Sequence, residues 1–241
     1  ERDEKEKTIL LGAAKNQEKQ YETVLQDREK RAAKIRSALF GLRDSAAIPF
    51  GTALDYANAV SLKTGVRPAF LLAVLTQESN LGENTGTCNR PGDPVTKSWK
   101  KVMHPKRDQP IFVEITKELG FDPDTMPVSC PWQSGYGGAM GPSQFIPSTW
   151  NLYKTRIAEA LGNNPPNPWE PKDAFFASGI YLKDLGADAA TYTAEREAAL
   201  KYYAGSNWYK TRNAFYGREV MEKAQSIQET MIDPLLKYGS G

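Results

Sequence analysis

An apolar stretch near residue 70 constrains the fold of this chain more than any other feature. Apolar side chains there follow the i, i+1, i+4, i+5 spacing of a buried helical face, at Phe70, Leu71, Val74 and Leu75. Pro68 suits the first turn of such a helix, and Gly82 favours a stop. The pattern therefore predicts a buried helix from about Pro68 to Leu81.

One acidic residue, Glu78, lies near the end of this predicted helix, after an uncharged run of about ten residues. Glutamate is seldom fully buried unless it is paired. Apolar surroundings disfavour the charged carboxylate and raise its pKa, and a general acid that works near neutral pH needs such a shift. The alternative is a solvated glutamate at a fraying helix end. This segment alone leaves both interpretations open.

Composition sets broad limits on function. The chain has 241 residues and a net charge of +2, so its charge gives no argument for nucleic-acid binding. Its length allows one good-sized core with an appendage, or two small domains. No apolar run reaches the roughly 20 residues that span a bilayer. Because the sequence begins at Glu1 rather than Met, a signal or anchor segment ahead of it stays an open question.

Two cysteines, Cys88 and Cys130, lie in loop-like sequence rich in Gly, Pro, Asn and Ser. We favour a disulfide between them over two free thiols, and with it an oxidising, extracytoplasmic compartment. A metal site is a weak alternative, since His104 is the sole histidine and no CxxC pair occurs. We expect neither a metal nor a cofactor.

The first 46 residues are highly charged and free of proline. Apolar side chains recur there at alternating steps of three and four, with two charged interruptions, at Leu11, Ala14, Glu18, Tyr21, Leu25, Arg28, Ala32, Ile35, Leu39, Leu42 and Ala46. This seam predicts a coiled-coil-like helical arm over 1–46, able to bind a protein partner or a second copy. The alternative is a long helix lying against the second domain, residues 47–241.

Strand-like alternation is scarce beyond residue 47, so the domain is predicted to be mainly α. Residues 83–130 are broken by glycine, asparagine and proline, which is typical of a substrate-binding or lid region rather than of a structureless loop. Residues 135–141 are rich in glycine, which allows a ligand or another helix to approach the main chain closely.

Three short motifs follow one another in the chain. Residues 78–82 are Glu-Ser-Asn-Leu-Gly, residues 138–145 are Gly-Ala-Met-Gly-Pro-Ser-Gln-Phe, and residues 201–205 are Lys-Tyr-Tyr-Ala-Gly. In order and spacing they resemble the motifs of lytic transglycosylases. The segment from Pro168 to Leu182 looks most like the membrane-bound lytic murein transglycosylase B branch. The resemblance covers about residues 50–210 and not the arm.

The resemblance implies a lysozyme-like domain that cleaves the β-1,4 bond between N-acetylmuramic acid and N-acetylglucosamine in peptidoglycan. Glu78 is implied to be the single general acid and base, closing the muramyl C6 hydroxyl onto C1 to give a 1,6-anhydro end. Six further residues are implied to contact substrate: Ser79, Met140, Gln144, Phe145, Tyr202 and Tyr203. Ser79 is equally suited to cap a backbone group. Tyr202 is expected to orient Glu78 through its hydroxyl.

One residue departs from the family pattern. The third motif usually has asparagine after its first tyrosine, and this chain has Tyr203. The family asparagine positions substrate, so a tyrosine there replaces an amide with a ring that stacks or donates its hydroxyl.

Two other functions remain as alternatives. A goose-type lysozyme would share the fold and the acid but would use water, giving hydrolysis. A catalytically idle wall-binding scaffold would use the coiled coil to recruit partners, with Tyr203 marking decay; the presence of Glu78 and Gln144 argues against it. In every case the expected partner is the peptidoglycan glycan strand, outside the cytoplasm.

Overall fold

The structure is a computed structural model that describes residue 15 and residues 17–24, 48–131 and 135–238, with side chains as far as residue 235. The chain divides into two units, Glu1–Gly41 and Leu42–Gly241. In the first unit, residues 17–24 are helical. The rest of the predicted coiled-coil seam lies outside the described residues, so the arm and its boundary at 46 stay predictions.

The second unit is built from helices, as predicted. Its α-helices are α1 (Phe50–Thr64), α2 (Pro68–Ser79), α3 (Trp99–Val102), α4 (Gln109–Glu118), α5 (Pro147–Leu161), α6 (Pro171–Asp184), α7 (Tyr192–Ala204), α8 (Ala214–Ile227) and α9 (Asp233–Tyr238). A π-helical turn, Gln228–Ile232, joins α8 to α9. The described residues form no strand, only isolated bridges. None of their helices has the length and apolar character needed to cross a membrane.

Helix α2 is the centre of this unit. Each residue from Ala69 to Leu75 is fully buried, because α1, α6 and α8 all pack against it. A helix that is apolar on every side can be stable only in such an enclosed position. Proline begins the helix at its first position, as predicted.

The end of α2 differs from the prediction by two residues. The helix ends at Ser79, not at Leu81, because Asn80 and Leu81 both adopt positive φ angles, of 53° and 51°. Asparagine tolerates this conformation better than most residues. Glu78 therefore lies in the last turn, directly before the chain changes direction.

The segment between Gly82 and Cys130 is fixed to the rest of the unit. Cys88 and Val128 form an isolated bridge, Val128 pairs in turn with Met140, and Met140 pairs with Phe145. This chain of backbone bridges joins the segment to the glycine-rich loop. The predicted close approach occurs there against the protein's own backbone, since a Cβ on Gly141 would lie 1.8 Å from the carbonyl oxygen of Pro168.

Candidate active site

Glu78 lies on the last turn of α2 and faces α8. Its side chain is partly buried, and the hydroxyl of Tyr216 donates a hydrogen bond to its carboxyl oxygen Oε1. Tyr216 is only 3% exposed, and its helix packs along α2 more extensively than any other element does. The contact between the two central helices thus fixes the position of the carboxyl group.

Burial raises the pKa of Glu78 to about 7, although the hydrogen bond from Tyr216 acts in the opposite direction by stabilising the carboxylate. No charged group among the described residues adds to this shift. A carboxyl group with this pKa exchanges a proton readily near neutral pH. Glu78 is therefore suited to act first as an acid and then as a base.

Tyr202 does not hydrogen-bond to Glu78, so the prediction that it orients this residue is wrong. Its hydroxyl donates to the carbonyl oxygen of Ser143 at 2.7 Å and lies 3.0 Å from the hydroxyl of Ser178. Burial, together with the charge of Glu78, raises the pKa of Tyr202 well above its usual range. Tyr202 therefore stays neutral near the acid and holds the glycine-rich loop to α6 and α7.

Ser79 has a structural role in this arrangement. It is 1% exposed, its hydroxyl accepts a hydrogen bond from the backbone N–H of Gly82 at 3.0 Å, and it donates to the carbonyl oxygen of Leu75 at 3.3 Å. Of the two roles expected for Ser79, the structure contains the backbone cap. This cap shapes the turn that follows Glu78.

Met140 and Phe145 lie in the core beneath the site, at 0% and 3% exposure. The backbone N–H of Met140 donates to the carbonyl oxygen of Phe145 at 2.9 Å, which closes the glycine-rich loop. The ring of Phe145 packs against that of Tyr202, with the centroids 5.7 Å apart. Both side chains are therefore part of the core on which the glycine-rich loop and Tyr202 rest.

Gln144 lies inside the same loop with a positive φ of 52°, an uncommon conformation for a residue other than glycine. Its side-chain amide donates to the carbonyl oxygen of Gly141 at 2.8 Å, and the side chain is only partly buried. Backbone strain of this kind tends to occur at binding sites. The remaining polar atoms of the amide are free to serve a ligand.

A row of partly buried tyrosines extends from the site. The ring of Tyr181 lies 5.2 Å from that of Tyr202, and the ring of Tyr153 lies 5.3 Å further on. The row ends at an ion pair between Arg156 and Asp184. Partly exposed tyrosine rings with polar ends are suited to bind sugars.

Tyr203 is 48% exposed, and its ring stacks on that of Tyr216 with the centroids 4.5 Å apart and the planes at 13°. Tyr203 is therefore in direct contact with the tyrosine that binds Glu78.

The disulfide between Cys88 and Cys130 is confirmed. It closes the segment that begins shortly after Glu78 and ends shortly before the glycine-rich loop. Among the described residues, no group of three or more His, Cys, Asp or Glu side chains is arranged to hold a metal ion.

Sequence reasoning missed Tyr216. This residue lies 138 positions beyond Glu78 and outside the three motifs. One general signal was available, because a buried tyrosine needs a partner for its hydroxyl. That rule does not identify the partner.

The sequence profile of the transglycosylase SLT domain matches residues 52–233, which is most of the chain and includes Glu78, the glycine-rich loop and Tyr216. The chain belongs to this family. It is a lytic transglycosylase, an enzyme of murein, with a lysozyme-like fold. A search of curated proteins finds no significant match.

Solved structures with a similar fold include two bacterial lytic transglycosylases. The Escherichia coli enzyme Slt35, in complex with bulgecin A, is 15% identical with a TM-score of 0.52, over 74% of this chain and 71% of that one. Pseudomonas aeruginosa SltB1 is 16% identical with a TM-score of 0.52, over 73% of this chain and 76% of that one. At this level of identity the likeness extends to the fold alone.

Proposed function

We propose that this transglycosylase cleaves the β-1,4 bond between N-acetylmuramic acid and N-acetylglucosamine, with Glu78 as its single general acid and base. The observation that carries the proposal is the Glu78 carboxyl group, partly buried at the end of α2 with a pKa of about 7 and held by the hydroxyl of Tyr216. A group in this state supplies a proton and takes one back without a metal or a cofactor.

The proposed reaction has two proton transfers. Protonated Glu78 gives its proton to the glycosidic oxygen, the bond from that oxygen to C1 of the muramyl residue breaks, and N-acetylglucosamine leaves with a free hydroxyl. The Glu78 carboxylate then takes the proton from the muramyl C6 hydroxyl while O6 bonds to C1. The product ends in a 1,6-anhydro ring, and Glu78 is protonated again.

A single carboxylate is supported by the charges around Glu78. Glycosidases that use two carboxylates place them roughly 5–10 Å apart. A second carboxylate at that distance would itself raise the pKa of the first, and no carboxylate among the described residues contributes to the rise at Glu78. Stabilisation of the cationic centre is then left to the substrate's own acetamido group, as in other substrate-assisted glycosidases.

Tyr216 has a definite part in this scheme. Its hydrogen bond is strongest when Glu78 is ionised, which is the state reached after the leaving oxygen has been protonated. Tyr216 therefore stabilises the enzyme at the point where charge has developed and fixes the oxygen that next serves as base. Gln144 and the tyrosine row of Tyr202, Tyr181 and Tyr153 supply the sugar-binding surfaces.

The compartment is also a proposal. A disulfide between Cys88 and Cys130 forms and persists in an oxidising environment, and peptidoglycan lies outside the cytoplasmic membrane. The proposed site of action is therefore extracytoplasmic.

The proposal is tested by Glu78→Gln in a zymogram with purified peptidoglycan. This change removes the proton donor with little change in volume, so lysis should be lost while the circular dichroism spectrum stays that of the wild type. The matched control is Glu83→Gln, which removes an exposed carboxylate five residues away and should lyse normally. Lysis by the Glu78→Gln variant would exclude Glu78 as the acid.

A further inference from the structure

The aromatic rings beside Glu78 are arranged in layers. Tyr216 contacts the carboxyl group and is 3% exposed, whereas Tyr203 covers the ring of Tyr216 and is 48% exposed. The two rings are nearly parallel, with their planes at 13° and centroids 4.5 Å apart. Tyr216 is thus the most buried of the three side chains and lies beneath Tyr203, while the side chain of Glu78 is itself partly buried.

Tyr203 is itself held in place by a third ring. Phe215 meets it edge-on with the centroids 5.7 Å apart, and Phe215 directly precedes Tyr216 on α8. Stacked and edge-on aromatic pairs are both favourable geometries, because the negative face and positive edge of the rings attract one another. The position of Tyr203 is therefore set by α8 as well as by its own helix, α7.

A family-typical asparagine at residue 203 would leave this cover incomplete. Its side chain is much smaller than a tyrosine ring and cannot stack over the ring of Tyr216. The departure from the family motif thus places an apolar surface where the family has an amide.

We infer that Tyr203 is a positioning residue that shields the Tyr216 side of the contact between Tyr216 and Glu78 from water. It acts through Tyr216 and does not need to touch the reacting atoms. The inference rests on the proposed function of Glu78 and adds a determinant of its protonation.

The consequence for Glu78 follows from the two influences on its pKa. Burial is the larger and raises the pKa, while the hydrogen bond from Tyr216 lowers it. Removing the Tyr203 ring exposes Tyr216 to water, which then solvates the Glu78 carboxylate and lowers the pKa of Glu78. Removing the Tyr216 hydroxyl takes away a donor to the carboxylate and raises the pKa. The two variants therefore shift the pKa of Glu78 in opposite directions.

Few other ionisable groups face this site. Among the residues that the structure describes, Tyr216 on α8 and Tyr202 on α7 are the titratable groups whose pKa values respond to Glu78, and both values are raised well above the usual range, so both hydroxyls stay neutral. On the neighbouring surface of α8, Glu219 and Lys223 bind the side chain of Gln77 and do not contribute to the shift at Glu78.

The test is a carbon-13 NMR titration of the Glu78 carboxyl in the glutamate-labelled protein, with the signal assigned by its loss in Glu78→Gln. We expect Tyr203→Ala and Tyr203→Asn to lower the pKa of Glu78 by about one unit. Tyr203→Phe keeps the ring and should leave that pKa unchanged. Tyr209→Ala, which removes an exposed aromatic ring that does not stack on Tyr216, is the matched control and should also leave it unchanged.

An unchanged or raised pKa in Tyr203→Ala would overturn the inference. The titration reads the carboxyl directly, so it is independent of catalysis. If Glu78→Gln retained lysis while Tyr203→Ala shifted the pKa as expected, the proposed function would fail and the shielding role of Tyr203 would stand.

Discussion

The hydroxyl of Tyr216 donates a hydrogen bond to the Glu78 carboxyl, although 138 positions of sequence separate the two residues. Glu78 ends the most buried helix of the domain, and Tyr216 lies in the first turn of the helix that packs most closely on it. The packing of these two helices therefore forms the centre of the core and also fixes the position of the Glu78 carboxyl group.

We predict that Tyr216→Phe raises the pKa of Glu78, because the carboxylate loses its hydrogen-bond donor while burial is unchanged. The alkaline limb of the pH profile of kcat/KM should move upward by about one unit. We also expect kcat to fall roughly tenfold, since the carboxyl group loses the contact that orients it. Turnover of soluble glycan fragments measured across pH gives both values.

Tyr209→Phe is the control for this prediction, because it removes the hydroxyl of an exposed tyrosine that lies between α7 and α8. Its profile should overlay that of the wild type. An alkaline limb that stays in place in Tyr216→Phe would mean that the hydrogen bond does not influence the acid.

Glu78 should also reduce stability at neutral and alkaline pH. Its pKa is about 7 in the folded chain against an ordinary value of 4.5, so folding takes up a proton between these values. Stability contributed by the neutral carboxyl is complete below pH 4.5 and is lost as pH rises to about 7. Glutamine stays neutral throughout, so Glu78→Gln should gain up to about 3 kcal/mol over the wild type across this range.

Urea unfolding of both proteins on either side of this pH range measures that gain. Glu83→Gln removes an exposed carboxylate five residues further along the chain and provides the comparison. A constant difference between Glu78→Gln and the wild type at all pH values would show that Glu78 titrates as an ordinary solvated glutamate.

The disulfide should stabilise the segment between the acid and the glycine-rich loop. Cys88 and Cys130 are separated by 42 positions, and closing a loop of this length contributes about 4 kcal/mol in the chain-entropy model. Replacing both cysteines by serine should lower Tm by about 10 °C in a domain of this size. Scanning calorimetry checks the value, and reductant should lower Tm of the wild type but not of the variant. Equal Tm values would contradict this contribution.

The sequence predicted the start of α2 at Pro68, and other helix boundaries in the structure follow the same local rules. Pro68, Pro147 and Pro171 begin helices because proline fixes a helical φ and its missing N–H is not needed in the first turn. Gly65 and Gly162 end helices in the left-handed conformation that glycine adopts at no steric cost.

These local rules do not predict contacts between residues that are far apart in the sequence. In the first turn of α5, the backbone N–H of Ser148 donates to the carboxylate of Asp108, which lies in a different segment. The family resemblance likewise pointed to Glu78, but it led us to expect that Tyr202, a tyrosine of the third motif, would orient this residue. Only the packing of α8 on α2 selects Tyr216.

The most direct test of the account is the mass of the muropeptides that the wild-type protein releases from purified peptidoglycan. If Glu78 returns the proton by activating the muramyl C6 hydroxyl, the new ends are 1,6-anhydro sugars, one water lighter than reducing ends, and Glu78→Gln releases none. Reducing ends as the main product would contradict the account and identify the protein as a hydrolytic muramidase.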